Sequence, residues 1–228
     1  MKLTQYQHND LQILNRETVY KGHFELQKIT FRHKLFSGEM SGEVVRELLI
    51  KGEAAALIAY DPTLDKVVLI EQVRIGAYDA GQKKSPWLLE LVAGMVDKGN
   101  EEPAEVAMRE AKEEAGLEVT TVQHALSVWD SPGGQLERLH LFLGLIDSTQ
   151  VKSGEVHGLL EEENEDILVH VVSREQAYQW VEDGTIDNVI AVIGLQWLQL
   201  NCRRSNKSDL LHINIGEKIF LPDIHTQP

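Results

Sequence analysis

The stretch that most constrains this chain runs from Ala93 to Val119, AGMVDKGNEEPAEVAMREAKEEAGLEV. It reads as a loop leading into a single helix. Pro103 suits the first helical position, where its missing N–H costs nothing. Glu102 falls at the cap, Glu105 in the first turn, where negative charge is favoured, and Gly116 is a natural stop. The pattern predicts a helix of about thirteen residues. At 100° per residue, Glu110, Glu113 and Glu114 fall within roughly a 100° arc and share one face. Like charges one turn apart destabilise a bare helix by about 0.2–0.5 kcal/mol per pair. Only Arg109, spaced for Glu113, offers compensation. A cation would relieve the rest, and carboxylate oxygens suit Mg²⁺ or Mn²⁺. A solvated acidic face is the alternative. Ala104, Ala107, Ala111 and Ala115 line a neighbouring face, where small side chains let the helix lie close against a sheet.

Around that helix the chain has 228 residues, 43% of them hydrophobic, enough for a substantial core. With 22 basic against 36 acidic residues the net charge is −14, which repels nucleic acid and anionic membranes unless a basic patch intervenes. Arg203, Arg204 and Lys207 are the nearest to one and read as a solvated helix end. No nucleic-acid or membrane partner is expected. Cys202 is the only cysteine, so no intramolecular disulfide or multi-cysteine zinc site can form, and a reducing compartment is expected. The amino terminus, MKLTQYQHNDLQIL, lacks a signal-peptide core, and no apolar run approaches the roughly 20 residues needed to span a bilayer. The expected location is cytoplasmic.

From Leu11 to about Leu49 the pattern is strand-like, broken at Lys21-Gly22 and Phe36-Ser37-Gly38, and fits an antiparallel meander. So small a sheet is marginal alone and is expected to lean on something else. Residues 54–60 and 66–73 read as a buried hairpin around the turn Asp61-Pro62-Thr63-Leu64-Asp65. A strand Trp87–Val92 ends at Ala93 and Gly94, and Val122 opens another. Pro132-Gly133-Gly134 forms a turn before the alternating strand LERLHLFLGLI. An acidic loop at 152–166 precedes a strand at 167–172. Helices follow at 174–184, capped by Ser173, and at 188–201.

The segment from Glu101 through Arg109, Glu110, Glu113, Glu114, Gly116 and Leu117 resembles the signature of the Nudix hydrolases, which cleave nucleoside diphosphates linked to another moiety. The loop between Gly94 and Glu101 is one residue longer than the family pattern. The resemblance implies an α+β Nudix fold, mixed β-sheets sandwiched between helices, with a small antiparallel sheet at the amino terminus. The implied division is a dimerisation domain at 1–50, a catalytic domain at 51–205 and a tail at 206–228. Within the family the order of elements is similar to that of the ADP-ribose pyrophosphatases, which implies a homodimer whose sites borrow residues across the interface.

The same resemblance assigns roles. Glu110, Glu113 and Glu114, with the backbone carbonyl of Ala93, are the implied metal ligands, for Mg²⁺ with Mn²⁺ as a substitute. Gly94 and Gly116 shape the motif, and Glu101 holds Arg109 and so orients the helix. A base comes from the segment Glu163-Asn164-Glu165-Asp166, with Glu163 preferred and Glu165 as second choice or further ligand. Arg46, Glu47, Arg74, Pro132, Gly133 and Glu137 are the implied substrate contacts. Planar guanidinium groups suit both phosphate and an adenine face, and Glu137 suits ribose hydroxyls. The expected reaction is metal-dependent hydrolysis of ADP-ribose to AMP and ribose 5-phosphate. The rivals are a GDP-mannose or other nucleotide-sugar pyrophosphatase and a non-catalytic ADP-ribose-sensing Nudix module.

Overall fold

The computed structural model describes residues 6–78, 84–97, 99–158, 165–203, 212–213 and 219–220. They fall into two compact units, Met1–Gly52 with Trp129–Arg138, and Glu53–Val128 with Leu139–Pro228.

In the first unit, β1 (Leu11–Lys21) and β2 (Glu25–His33) form an antiparallel hairpin, and β2 pairs in turn with the opening of β3 (Val44–Asp61), Ile29 opposite Arg46. The expected meander is present. The sequence pattern broke β3 before Ala54, but the strand runs through. Gly52 sits at φ +90, a conformation a side chain rarely tolerates, and carries the strand across the unit boundary. The turn Trp129–Arg138 also belongs to this unit: the Leu49 N–H donates to the Gly134 carbonyl at 3.0 Å, and the Arg138 guanidinium lies 5.0 Å from the centre of the Trp129 ring.

In the second unit, the rest of β3 pairs antiparallel with β4 (Lys66–Val73), Tyr60 opposite Val67, which is the expected hairpin. β5 (Trp87–Glu90) pairs with β4, and β6 (Val92–Met95) with residues 54–57 of β3. β7 (Val122–Trp129), β8 (Gln135–Leu145), β9 (Val156–His157) and β10 (Ile167–Ser173) complete the order β7-β8-β3-β4-β10-β9. Two short pieces, β11 (Cys202–Arg203) and β12 (His212–Ile213), pair with each other, and β13 (Ile219–Phe220) pairs with β7.

Period-two alternation in these strands builds two cores, one on each face. Ala55, Leu57, Ala59, Val68 and Ile70 pack with Ala104, Val106, Ala107, Ala111 and Ala115 of α1 (Pro103–Ala115). Ala56, Ile58, Tyr60, Val67 and Leu69 pack with Ala177 of α2 (Arg174–Glu182) and with Ala191, Leu195 and Leu198 of α3 (Val189–Asn201). Sheet between helices is the α+β architecture expected. Pro103 opens α1, Gly116 closes it at φ +64 and the Ser173 side chain caps α2, as expected, while Asn188, expected as the first residue of the last helix, instead caps α3 with its side chain. Among the described residues no helix is long and apolar enough to cross a membrane.

Candidate active site

All four alanines of α1 named above are at most 6% exposed, so the helix lies flat on the sheet and its acid-bearing face is held against β6. The Ala93 N–H donates to Glu114 Oε2 at 3.1 Å. Gly94 allows the neighbouring contact: a Cβ there would lie 2.0 Å from Glu110 Oε1, so any side chain would displace that carboxylate.

Glu114 is 6% exposed. Burial pushes its carboxyl up to about 8; the charges of Glu110 and Glu165 push in the same direction, while the Ala93 N–H and the Arg74 guanidinium oppose them. Those influences place Glu110, Glu165 and Arg74 in the electrostatic neighbourhood of Glu114.

Arg109 organises the rest of the face. Its Nε donates to Glu101 Oε1 at 3.1 Å, the contact expected of Glu101, and its Nη1 donates to Glu113 Oε2 at 2.9 Å. The same Nη1 also reaches Glu110 Oε1 at 2.6 Å. Spacing alone gave no sign of that third contact, because adjacent residues do not face each other on a helix; the long side chain folds back to make it. So among the described residues no three His, Cys, Asp or Glu side chains already converge as a ligand set. The repulsion within the acid face is relieved by one guanidinium at Glu110 and Glu113, and at Glu114 it is only partly offset, by the Ala93 N–H and Arg74.

The donor set fits a divalent cation nonetheless. A buried carboxylate with two further carboxylates in its field is costly when ionised. A glycine-backed cradle holds one of those neighbours against the backbone. Oxygen donors of this kind suit a hard cation.

Arg74 is itself tethered. Its Nε and Nη2 lie 3.0 and 2.9 Å from Glu90 Oε2, at the end of β5, and Gln72 Nε2 donates to the same oxygen at 3.3 Å. In the sequence the signal for Glu90 is a lone acid within the apolar run Trp87–Val92.

In the first unit, Arg46 and Glu47 stand exposed on β3, and Pro132 and Gly133 are exposed in the turn. Glu137 is 7% exposed. Lys51 Nζ donates to its Oε2 at 2.6 Å and Gln135 Nε2 at 3.5 Å. Lys51 and Gln135 were not foreseen; their partner is remote in sequence for one and adjacent on the strand for the other. Glu163 lies outside the described residues.

The NUDIX domain matches residues 51–190. The chain belongs to the Nudix family. Over 208 residues it is 60% identical to the ADP-ribose pyrophosphatase of Haemophilus influenzae, covering 91% of this chain and 94% of that one. It is 55% identical over 193 residues to the ADP-ribose pyrophosphatase of Escherichia coli K12, covering 85% and 90%. The GDP-mannose pyrophosphatase of Yersinia pestis is 35% identical over 185 residues, covering 81% and 89%. A solved structure of an ADP compounds hydrolase shares the fold with a TM-score of 0.62 at 18% identity, covering 86% of this chain and 96% of its own. The loop, cradle and acid face of β6 and α1 lie within the matched residues.

Proposed function

We propose that this Nudix protein hydrolyses the pyrophosphate bond of ADP-ribose to AMP and ribose 5-phosphate, using Mg²⁺, with Mn²⁺ as a substitute. The observation that carries the chemistry is Glu114, buried on the motif helix with Glu110, Glu165 and Arg74 in its field. The substrate rests on likeness. Identity of 60% and 55% to two ADP-ribose pyrophosphatases stands against 35% to a GDP-mannose pyrophosphatase.

A divalent cation, when bound, supplies Lewis-acid stabilisation of the phosphoryl oxygens and a more acidic water. Glu110, Glu113, Glu114 and the Ala93 carbonyl would hold it. Glu101 keeps Arg109 in place, and Arg109 keeps the acid face set on its helix. Arg74 meets the negative charge that grows on the phosphoryl group as the bond breaks. Proton removal from the attacking water falls to Glu163. Glu165, whose charge reaches Glu114, acts as a further ligand or as the second choice for base. Arg46, Glu47, Pro132, Gly133 and Glu137 bind the nucleotide and ribose.

The protein acts as a homodimer in the cytoplasm. Leu11, Ile13, Leu14, Val19 and Tyr20 of β1 are all exposed, apolar surface that a second copy would cover.

Product analysis decides the substrate. ADP-ribose, ADP-glucose and GDP-mannose are offered side by side in ¹⁸O-labelled water. ADP-ribose should be cleaved with a kcat/KM at least about tenfold above the others, a difference of about 1.4 kcal/mol. A preference for GDP-mannose would replace the substrate. Tight binding without turnover would make the protein a sensor.

A further inference from the structure

We infer that Glu90 is a positioning residue for the proposed reaction: it fixes the plane and reach of the Arg74 guanidinium toward the substrate diphosphate. This rests on the reading above that Arg74 meets the phosphoryl charge, and it adds the residue that makes Arg74 able to do so.

Glu90 ends β5 opposite Ile70 of β4, and its side chain is 13% exposed. A carboxylate so placed is costly unless it is paired. Among the described residues Oε2 carries the pairing: Arg74 Nε donates to it at 3.0 Å and Gln72 Nε2 at 3.3 Å, while Arg74 Nη2 forms an ion pair with it at 2.9 Å. With Nε bonded and Nη2 held beside the same oxygen, the planar fork is restricted in where it can turn. The backbone is tied as well, since the Arg74 N–H donates to the Pro86 carbonyl at 2.8 Å, one residue before β5 begins. Arg74 is thus gripped at main chain and side chain by the same segment, while its side chain stays 45% exposed. A salt bridge that served stability alone would gain little at such exposure. What the grip secures is the position of a cation whose useful face is left open. Three residues beyond Glu90 lies Ala93, whose N–H engages Glu114, so one short stretch sets both the cation and the buried acid.

Steady-state kinetics on ADP-ribose test this with Glu90→Gln, Arg74→Ala and the double variant, each with a melting temperature as a folding control. Arg74→Ala should lower kcat/KM by about 100-fold, in the range found for removal of one transition-state donor. Glu90→Gln, the same size but uncharged, should lower it by about 10-fold, mostly in kcat. That is within the ~10²-fold cost of a 1 Å misplacement. The double variant should be no worse than Arg74→Ala, because the two residues act as one unit. If Glu90→Gln matches the parent, or if its loss multiplies with that of Arg74→Ala, the inference is overturned. If Arg74→Ala itself matches the parent, the role given to Arg74 fails first. If Glu90→Gln melts more than about 5 °C early, Glu90→Asp, which keeps the charge but shortens the tether, takes its place in the same cycle.

Discussion

Two strands that both carry large apolar side chains meet opposite fates in this molecule. Residues Ala55–Asp61 of β3 are all but sealed, because α1 covers one face of their sheet and α2 and α3 the other. Every one of the eleven residues of β1 is exposed, Leu11, Ile13, Leu14, Val19 and Tyr20 among them. The second unit brings its own helices to both faces of its sheet, whereas the described residues of the first carry no α-helix. Burial of an apolar face needs a second layer, so a three-stranded sheet without helices must find that layer elsewhere. The unit that is sealed can bury a carboxylate such as Glu114 and use it. The unit that is not sealed keeps Arg46 and Glu47 in the open and holds its buried carboxylate, Glu137, against Lys51.

The sharpest break of this comparison is at the acid face. If the sealed unit concentrates negative charge for a cation, excess EDTA should abolish turnover and Mg²⁺ or Mn²⁺ restore it; undiminished activity in EDTA ends the metal reading. Glu114→Gln should cost at least about 100-fold in kcat, since roughly 3 kcal/mol of lost charge stabilisation is about two decades.

Next in size is the base. Glu163→Gln keeps shape but cannot accept a proton, and should lower kcat by about 10²–10⁴ with little change in affinity. Glu161→Gln and Glu162→Gln on the same segment should behave as the parent. A large loss in Glu165→Gln alone would move the base by two positions in the sequence.

On the exposed side, Ile13→Lys combined with Val19→Lys puts two charges on the uncovered strand. Sedimentation should then find a monomer where the parent is a dimer, with activity reduced if sites are shared. An unchanged parent-like mass, or a parent that is already a monomer, would show that β1 needs no partner.

The same contrast marks what the amino-acid pattern could and could not disclose. α1 was legible to the residue because Pro103, Glu105 and Gly116 are local signals. The two-faced core was legible because strands 54–60 and 66–73 are apolar throughout, the pattern of burial on both faces. The continuity of β3 was not, because Gly52 and Glu53 look like a break, while β2 pairs with the opening of the strand and β6 with residues 54–57. The grouping of Trp129–Arg138 with the first unit rests on the Leu49 to Gly134 bond and on Lys51 with Glu137, contacts between residues far apart in the chain. In the site, Glu101, Arg109 and the three helix acids follow from one motif. Glu90 and the contact from Arg109 to Glu110 depend on where long side chains go, which spacing does not state.

A change in stability with pH, with no turnover involved, tests burial directly. The carboxyl of Glu114, near 4.5 when free, is pushed up to about 8 by burial and by the charges of Glu110 and Glu165. A group whose folded value is raised binds its proton more tightly in the folded protein. Its contribution to stability is therefore fully present below about 4.5 and is lost as pH rises through about 8. In EDTA, the melting temperature should fall between pH 5 and pH 8, by no more than about 1.4 kcal/mol of stability per pH unit from this one proton. At roughly 2–4 °C per kcal/mol for a chain of this size, calorimetry resolves the slope. Mg²⁺ should raise the melting temperature more at pH 8 than at pH 5, because ionised carboxylates bind it and protonated ones do not. Glu114→Gln should flatten the slope in EDTA. An equally steep slope in that variant would assign the titration to another group and leave Glu114 ionised in the folded protein.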